Sequence, residues 1–301
     1  MPAPPSHRRR RHWIERIVFY SLVIFVAIPM AFCRVLTHVP RMEPTGPPVG
    51  FEQIWPTSAN GVRLRLWFRQ VSPDRPAVLI VHGLGDTMES YVDVASVFAR
   101  CGHSVALIDL RAHGGSSGRQ TTMGGLESED VRAALGWLAA GHHAPHGTIL
   151  SGYSAGAVAC LRAAVGRADV RAVIVEAPFD TYRHTVTRHA WLFYRIPSWF
   201  PLIPITVRFA GWSAGFDPDD VDAVAAAGAL RVPLLAVVDG SDPRMPEAVV
   251  RRVFDAHPGP KSLWVAPGVP HVGAVLRHDY WPTISRFLCA HDLESGACPP
   301  D

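Results

Sequence analysis

Gly152-Tyr153-Ser154-Ala155-Gly156 lies between an apolar run, Thr148-Ile149-Leu150, and an alanine-rich stretch, Ala155 to Val165, with helical character. A serine on a sharp turn from strand to helix is pushed out beyond the end of a sheet, and only small residues fit around it. The helix that follows offers its unpaired N–H groups and positive dipole end to charge developing there. Ser154 is therefore the candidate nucleophile. A Gly/Ser turn of no consequence would share the five letters, and the position between strand and helix is what separates the two readings.

Strand and helix signals alternate outward from this point. Val62 to Phe68 alternates apolar and polar, as expected of a half-buried antiparallel edge strand. Ala77 to Val81 and Ser104 to Ile108 are continuous apolar runs suited to strands covered on both faces of a parallel sheet. Helices are expected over Tyr91–Arg100, Asp130–Ala140, Glu247–Ala256 and Tyr280–Cys289, and further strands over Val173–Val175, Leu234–Val238 and Ser262–Val265. This rhythm predicts an α/β fold with a mainly parallel sheet and helices on both faces. Ligands then bind at the carboxyl ends of the strands, a demand on every site residue.

A serine hydroxyl is a weak nucleophile until a base takes its proton. His271, in Gly268-Val269-Pro270-His271-Val272-Gly273 just beyond a strand, is the candidate base among fifteen histidines. Asp239 and Asp242 both follow the strand Leu234–Val238. Asp242, heading the turn Asp242-Pro243-Arg244-Met245-Pro246, is the preferred carboxylate for orienting the imidazole, with Asp239 as substitute. An oxyanion needs two donors. The N–H of Ala155 is one, and the N–H of Leu84, in His82-Gly83-Leu84-Gly85, is the other candidate. Gly83 and Tyr153, beside these donors, are candidate substrate contacts, and His82 is expected to hold its loop rather than act as a second base.

With these residues in place the chain resembles the α/β-hydrolase superfamily over roughly residues 51 to 290, in its membrane-anchored esterase, lipase or serine-peptidase-like form. Asp109-Leu110-Arg111-Ala112-His113-Gly114-Gly115-Ser116 is similar to that superfamily's Asp-x-Arg-Gly-His-Gly-x-Ser loop, with Ala112 where glycine is usual. Thr122 to Asp130 is similar to its Thr-x-Gly-x-x-Glu-x-x-Asp stretch. Both are read as structural: the first positions a loop and the second caps a helix. The resemblance implies an inserted helical cap at about 178–230, where the strand–helix rhythm breaks. It also assigns the Ser, Asp and His roles to Ser154, Asp242 and His271.

The cap segment contains Trp191, Phe193, Tyr194, Trp199, Phe200, Phe209, Trp212 and Phe216. Such rings exclude water from a site and suit an apolar substrate group. Most of them are expected to pack the cap onto the sheet. A cap next to an anchor could also touch lipid.

The net charge of +3 is misleading as a whole-chain figure. Arg8, Arg9, Arg10, Arg11 and Arg16 against Glu15 put +4 in the first sixteen residues and leave −1 for the rest. No nucleic-acid partner is implied. The basic cluster runs into the uncharged stretch Ile17 to Phe32, extended by Trp13, Ile14, Val35 and Leu36. This reads as an uncleaved transmembrane anchor in preference to a signal peptide, because Ala31-Phe32-Cys33 is a poor cleavage site. A buried soluble helix is the third alternative. The positive-inside rule puts the N-terminus in the cytoplasm and the main domain across the membrane.

The expected organisation is a basic tail at 1–12, an anchor at 13–36, a Pro/Gly-rich linker at 37–50, the α/β domain at 51–290 and a tail at 291–301. Among five cysteines there is no Cys-x-x-Cys pair, so no metal is expected. His142, His143 and His146 cluster in a loop away from the expected site. Cys101 and Cys160 are expected in the core, and Cys289 could pair with Cys298 in an oxidising compartment. The reaction implied is hydrolysis of a small-molecule carboxylic ester or thioester through an acyl-serine, without cofactor. A peptidase or acyltransferase on the same residues, or a non-catalytic anchored binding protein, are the alternatives. Nothing in the sequence bears on oligomeric state.

Overall fold

The computed structural model describes residues 7–294. The described residues begin with helix α1 (His7–Leu22), pass through a π-helical turn at Val23–Ala27 and continue as α2 (Ile28–Thr37). Three short strands follow: β1 (Glu52–Ile54), β2 (Arg65–Arg69) and β3 (Ala77–Val81). Strict alternation then sets in with α3 (Val92–Arg100), β4 (Val105–Asp109), α4 (Glu127–Ala140), β5 (Thr148–Tyr153), α5 (Ala155–Ala164) and β6 (Val170–Glu176). Three helices interrupt it: α6 (Tyr182–Tyr194), α7 (Leu202–Ala214) and α8 (Ala223–Ala229). The chain closes with β7 (Leu234–Asp239), α9 (Glu247–Ala256), β8 (Lys261–Ala266) and α10 (Tyr280–Ala290).

The strands form one sheet in the order β1-β2-β4-β3-β5-β6-β7-β8. β1 and β2 are antiparallel to their neighbours and the remaining strands are parallel. Every residue of β3, β4 and β5 is buried, as strands with helices on both faces must be. Two apolar cores result, one on each face. β2 is not the half-buried edge expected from its alternation. It lies second in the sheet, almost wholly buried, with β1 outside it. The polar positions of β2 survive burial because Arg65 pairs with Glu89 and Asp109.

The excursion between β6 and β7 divides in two. α6 and α7 pack on each other and on α2, whereas α8 packs on α5 and α9 against the sheet. α8 therefore belongs to the helical layer rather than to a cap reaching residue 230. The expectation that most cap aromatics pack inward also fails. Trp191, Phe193, Tyr194, Trp199 and Trp212 are all more than half exposed, the last two at 77% and 78%. Only Phe200, Phe209 and Phe216 lean on the core.

One continuous helix, Arg10–Thr37, is long and apolar enough to cross a membrane, with a mean hydropathy of 2.1 over its best window. At about 1.5 Å per residue its 28 residues span about 42 Å, beyond the roughly 30 Å of a hydrocarbon core. Only 11% of that window is buried, unlike the core helix of a soluble protein. Its end is nevertheless docked. Cys33 and Thr37 are buried, and Phe32 meets Tyr194 edge to face at 5.2 Å. Thr37 O accepts the N–H of Thr121 at 2.8 Å. The segment after it is also held, since Arg41 donates to Gly118 O and Thr45 N–H donates to Glu89 Oε1.

The cysteines differ from expectation. Cys101, at the end of α3, is disulfide-bonded rather than a free core thiol. Cys33 and Cys160 are free. The Cys289–Cys298 pairing involves Cys298, which lies outside the described residues.

Candidate active site

β5 ends at Tyr153 and α5 begins at Ala155, so Ser154 occupies the sharp turn with φ +52° and ψ −117°. The flanking glycines are dictated by contact. A Cβ on Gly156 would lie 2.3 Å from His82 O, and one on Gly152 would lie 2.7 Å from Ala157 Cα. β3 and α5 thus approach so closely that the loop after β3 passes directly over the serine.

Three loops at carboxyl ends of strands converge here. Asp242 follows β7 and its Oδ2 accepts a hydrogen bond from His271 Nδ1 at 2.6 Å. A carboxylate at Nδ1 fixes the proton there and leaves Nε2 as an acceptor. Nε2 lies 2.9 Å from Ser154 Oγ, placed to take the hydroxyl proton. Burial alone would raise the Asp242 carboxyl. The hydrogen bond and charge of His271, with the N–H groups of Met245 and Arg244, outweigh burial and hold it below the usual range.

Asp239, the substitute candidate, does a different job. Its carboxylate accepts the N–H groups of Val272 at 2.7 Å, Gly273 at 3.3 Å and Ala274 at 3.0 Å. Glu176 also accepts from Ala274 N–H, at 3.0 Å. Burial first, and then the neighbouring Asp239, push Glu176 well above the ordinary carboxyl range. Burial raises Asp239 as well, and the two carboxyl groups together hold the backbone of the loop that carries His271. Asp239, Asp242 and His271 lie close enough together to suggest a cation site. Their ligand atoms are already engaged by these N–H groups and by each other.

Ala155 opens α5, so its N–H has no intrahelical acceptor. Ala155, Leu84 and Gly83 line a cavity of about 250 Å³ together with Ser154 and His271. The Leu84 loop is held by two neutral histidines. His82 Nδ1–H donates to Gly83 O at 2.7 Å and its Nε2 accepts the N–H of Leu110 at 3.0 Å. His113 Nδ1–H donates to Arg111 O at 2.7 Å and its Nε2 accepts the N–H of Gly85 at 3.0 Å. Burial, with His113 alongside, pushes His82 down to about 3. The Asp109–Ser116 loop therefore buttresses the loop after β3. Ala112 sits there at φ +62°, a conformation that explains why glycine is usual at this point. Glu127 organises the adjacent Thr122 stretch, accepting from Thr121 Oγ1, Thr122 N–H and Oγ1, and Gly124 N–H.

Residues 72–212 match the family described as serine aminopeptidase, S33. The fold superposes on the Pyrococcus furiosus esterase Pf2001 with a TM-score of 0.67 at 20% identity, covering 84% of this chain and 99% of that one. The chain has the α/β-hydrolase fold. The fold also superposes on an acetyl xylan esterase from Paenibacillus sp. R4, with a TM-score of 0.63 at 17% identity over 90% of this chain and 94% of that one. Its sequence is similar to the Bacillus subtilis protein YqkD, 28% identical over 70% of each chain. A Mycobacterium tuberculosis protein is 27% identical over 70% of this chain and 69% of its own.

One expected contact lies away from the site. Tyr153 is 1% exposed, stacks on Tyr91 at 4.4 Å and meets the Tyr280 hydroxyl at 3.0 Å on the opposite face. Successive strand residues alternate faces, so the residue before Ser154 points into the core and not into the cavity. His189, from α6, lines the cavity instead. Burial, with Arg244, His271 and Arg188 nearby, pushes it down to about 4, so it is neutral. Its Nε2 has no hydrogen-bond partner among the described residues. Arg244, beside Asp242, lines the same cavity and lies 5.7 Å over the Phe193 ring. Neither residue carries a local sequence signal; the cap brings His189 in.

Proposed function

We propose that the chain is a serine hydrolase that cleaves a carboxylic ester or thioester through an acyl-serine intermediate. The observation that carries this reading is the continuous hydrogen-bonded chain from Ser154 through His271 to Asp242. Ser154 Oγ attacks the carbonyl carbon as its proton passes to His271 Nε2. The N–H groups of Leu84 and Ala155 receive the oxyanion of the tetrahedral intermediate. Collapse of that intermediate breaks the bond to the leaving oxygen or sulfur, which takes the proton from His271. A water then gives a proton to His271, attacks the acyl carbon and releases the acid and the free serine. Asp242 stabilises the imidazolium in both halves.

An alkyl fluorophosphonate should label Ser154, and Ser154→Ala should take up no label and hydrolyse no p-nitrophenyl ester. A folded wild-type protein that remains unlabelled would sink the proposal.

A second reading, an aminopeptidase on the same residues, draws on the matched family and on Asp86, a carboxylate lining the cavity. Asp86 is already engaged by Thr87 N–H at 2.8 Å and by Ser90 Oγ at 2.5 Å, which favours the ester reading. Release of nitroaniline from aminoacyl p-nitroanilides faster than hydrolysis of acyl esters would reverse this preference.

The catalytic domain is proposed to lie on the extracytoplasmic side of a membrane. The basic cluster before the apolar helix supports that orientation, and so does the disulfide at Cys101. Alkaline phosphatase fused after residue 294 should be active, and a fused cytoplasmic reporter silent; the opposite pattern would invert the topology.

A further inference from the structure

The cavity at Ser154 has a neighbour. A second cavity of about 390 Å³ lies between α2, α6 and α7. Leu84, Met123 and His189 line both cavities, so they meet at the candidate oxyanion loop. Apart from His189, its lining is almost entirely apolar. Four of its wall residues, Ile28, Phe32, Val35 and Leu36, come from the N-terminal helix.

That origin is unexpected for a tether. Ile28 and Phe32 belong to the same uncharged run, Ile17 to Phe32, that suits a bilayer. Val35 lines the cavity and yet is 59% exposed, so this wall of the cavity is also a surface of the molecule. Around it stand exposed Trp191, Phe193, Tyr194 and Trp199 on the cap. Exposed aromatic rings next to a membrane helix form the belt by which proteins settle at the headgroup level. The helix is held on the cap by the Phe32–Tyr194 contact and on the catalytic domain by the Thr37–Thr121 hydrogen bond. The wall is thus fixed in place and not a passing contact.

We infer that the membrane helix forms one wall of the substrate site, and that the site takes the apolar chain of a long-chain ester resident in the bilayer. This rests on the acyl-serine reading and names the substrate class for it. The chain lies in the cavity between α2 and the cap, and the carbonyl reaches Ser154 past Leu84 and His189. No other occupant fits as well. An aqueous polar substrate would find no partners in this lining, whereas a hydrocarbon chain loses nothing on leaving lipid for it. Combined, the two cavities fall in the range of about 300–1,000 Å³ usual for small-molecule sites.

The test uses the full-length protein in phosphatidylcholine nanodiscs. Val35→Trp and Ile28→Trp fill the cavity from the helix side, and Val18→Trp, on the same helix but remote from the cavity, is the control. The ratio of kcat/KM for p-nitrophenyl dodecanoate over p-nitrophenyl acetate should fall about tenfold or more in the first two variants and change by less than about twofold in the control. An unchanged ratio in both cavity variants overturns the inference. A dodecanoic acid carrying a terminal diazirine supplies a readout independent of catalysis. Irradiation should cross-link it to peptides containing Phe32 or Val35, in wild type and in Ser154→Ala alike, and less in Val35→Trp. Cross-links confined to other peptides overturn the inference. Cross-linking at the helix in a protein that turns over no ester supports the chain site and removes only the acyl-serine reading.

Discussion

The carboxylate of Asp239 accepts the N–H of Val272 at 2.7 Å, one residue beyond His271. Val272 has φ +55°, so the loop carrying the imidazole is bent there into a conformation that a β-branched residue resists. Asp239 holds the backbone of that loop and Asp242 holds the ring. Two carboxylates three residues apart therefore act on different parts of one histidine.

This division predicts two distinct phenotypes. Asp242→Asn should lower kcat by about 10⁴, as loss of the correct imidazole tautomer does, with little change in melting temperature. Asp239→Asn should instead cost roughly 1–3 kcal/mol of stability, because one amide oxygen cannot accept all three N–H groups. Paired kinetics and thermal melts on both variants check this. Matching losses of kcat and stability in the two would erase the distinction.

Acidification should destabilise the fold through His82. Its folded value of about 3 lies below the ordinary 6.5, so between these limits the unfolded chain binds a proton that the folded chain refuses. Stability is retained above 6.5 and falls as pH drops, by about 1.4 kcal/mol per unit from this residue. His189, pushed down to about 4, acts in the same direction. Urea midpoints at successive pH values from 7.5 to 5, taken as a series, should decline. His82→Asn should be less stable and should show a shallower decline.

Gly156 should tolerate no side chain. The methyl of Gly156→Ala would lie 2.3 Å from His82 O and 2.5 Å from Val81 O, both backbone atoms in the centre of the sheet. Separating β3 from α5 should cost more than about 3 kcal/mol, in the exceptional class for a single substitution. A melting temperature within experimental error of wild type would contradict the close approach.

Alkylation of the denatured, unreduced protein should modify Cys33 and Cys160 and spare Cys101, which becomes reactive only after reduction. Peptide mapping after iodoacetamide treatment reads this directly. Modification of Cys101 without reductant would remove one support for an extracytoplasmic domain.

Much of the site is legible in sequence because the fold class ties function to strand ends. Ser154, Asp242, His271 and Leu84 each follow an apolar run, and that position alone marks them. The turn that Asp242 heads favours it over Asp239, but the separate task of Asp239 is not legible, since both follow β7 and only side-chain direction separates them. Tyr153 misleads for a related reason: it neighbours the candidate nucleophile in the chain, but the two-residue period of β5 turns it into the core. His189 has no local signal, because tertiary packing of the cap delivers it. The cavity-lining position of Ile28, Phe32 and Val35 is hidden because a residue suited to lipid and one facing an apolar cavity read alike. The bond at Cys101 depends on a contact distant in sequence, which no spacing rule reveals.

The backbone of Ser154 has a further consequence. At φ +52° and ψ −117° it rests where only glycine is comfortable, at a cost of order 1–3 kcal/mol. Alanine and glycine both delete the hydroxyl, but only glycine releases that tension. Ser154→Gly should therefore outlast Ser154→Ala on heating, two equally inert proteins of unequal durability. The fold gives up some endurance at the one residue it holds out to the substrate, and the gap between those two melting temperatures measures how much.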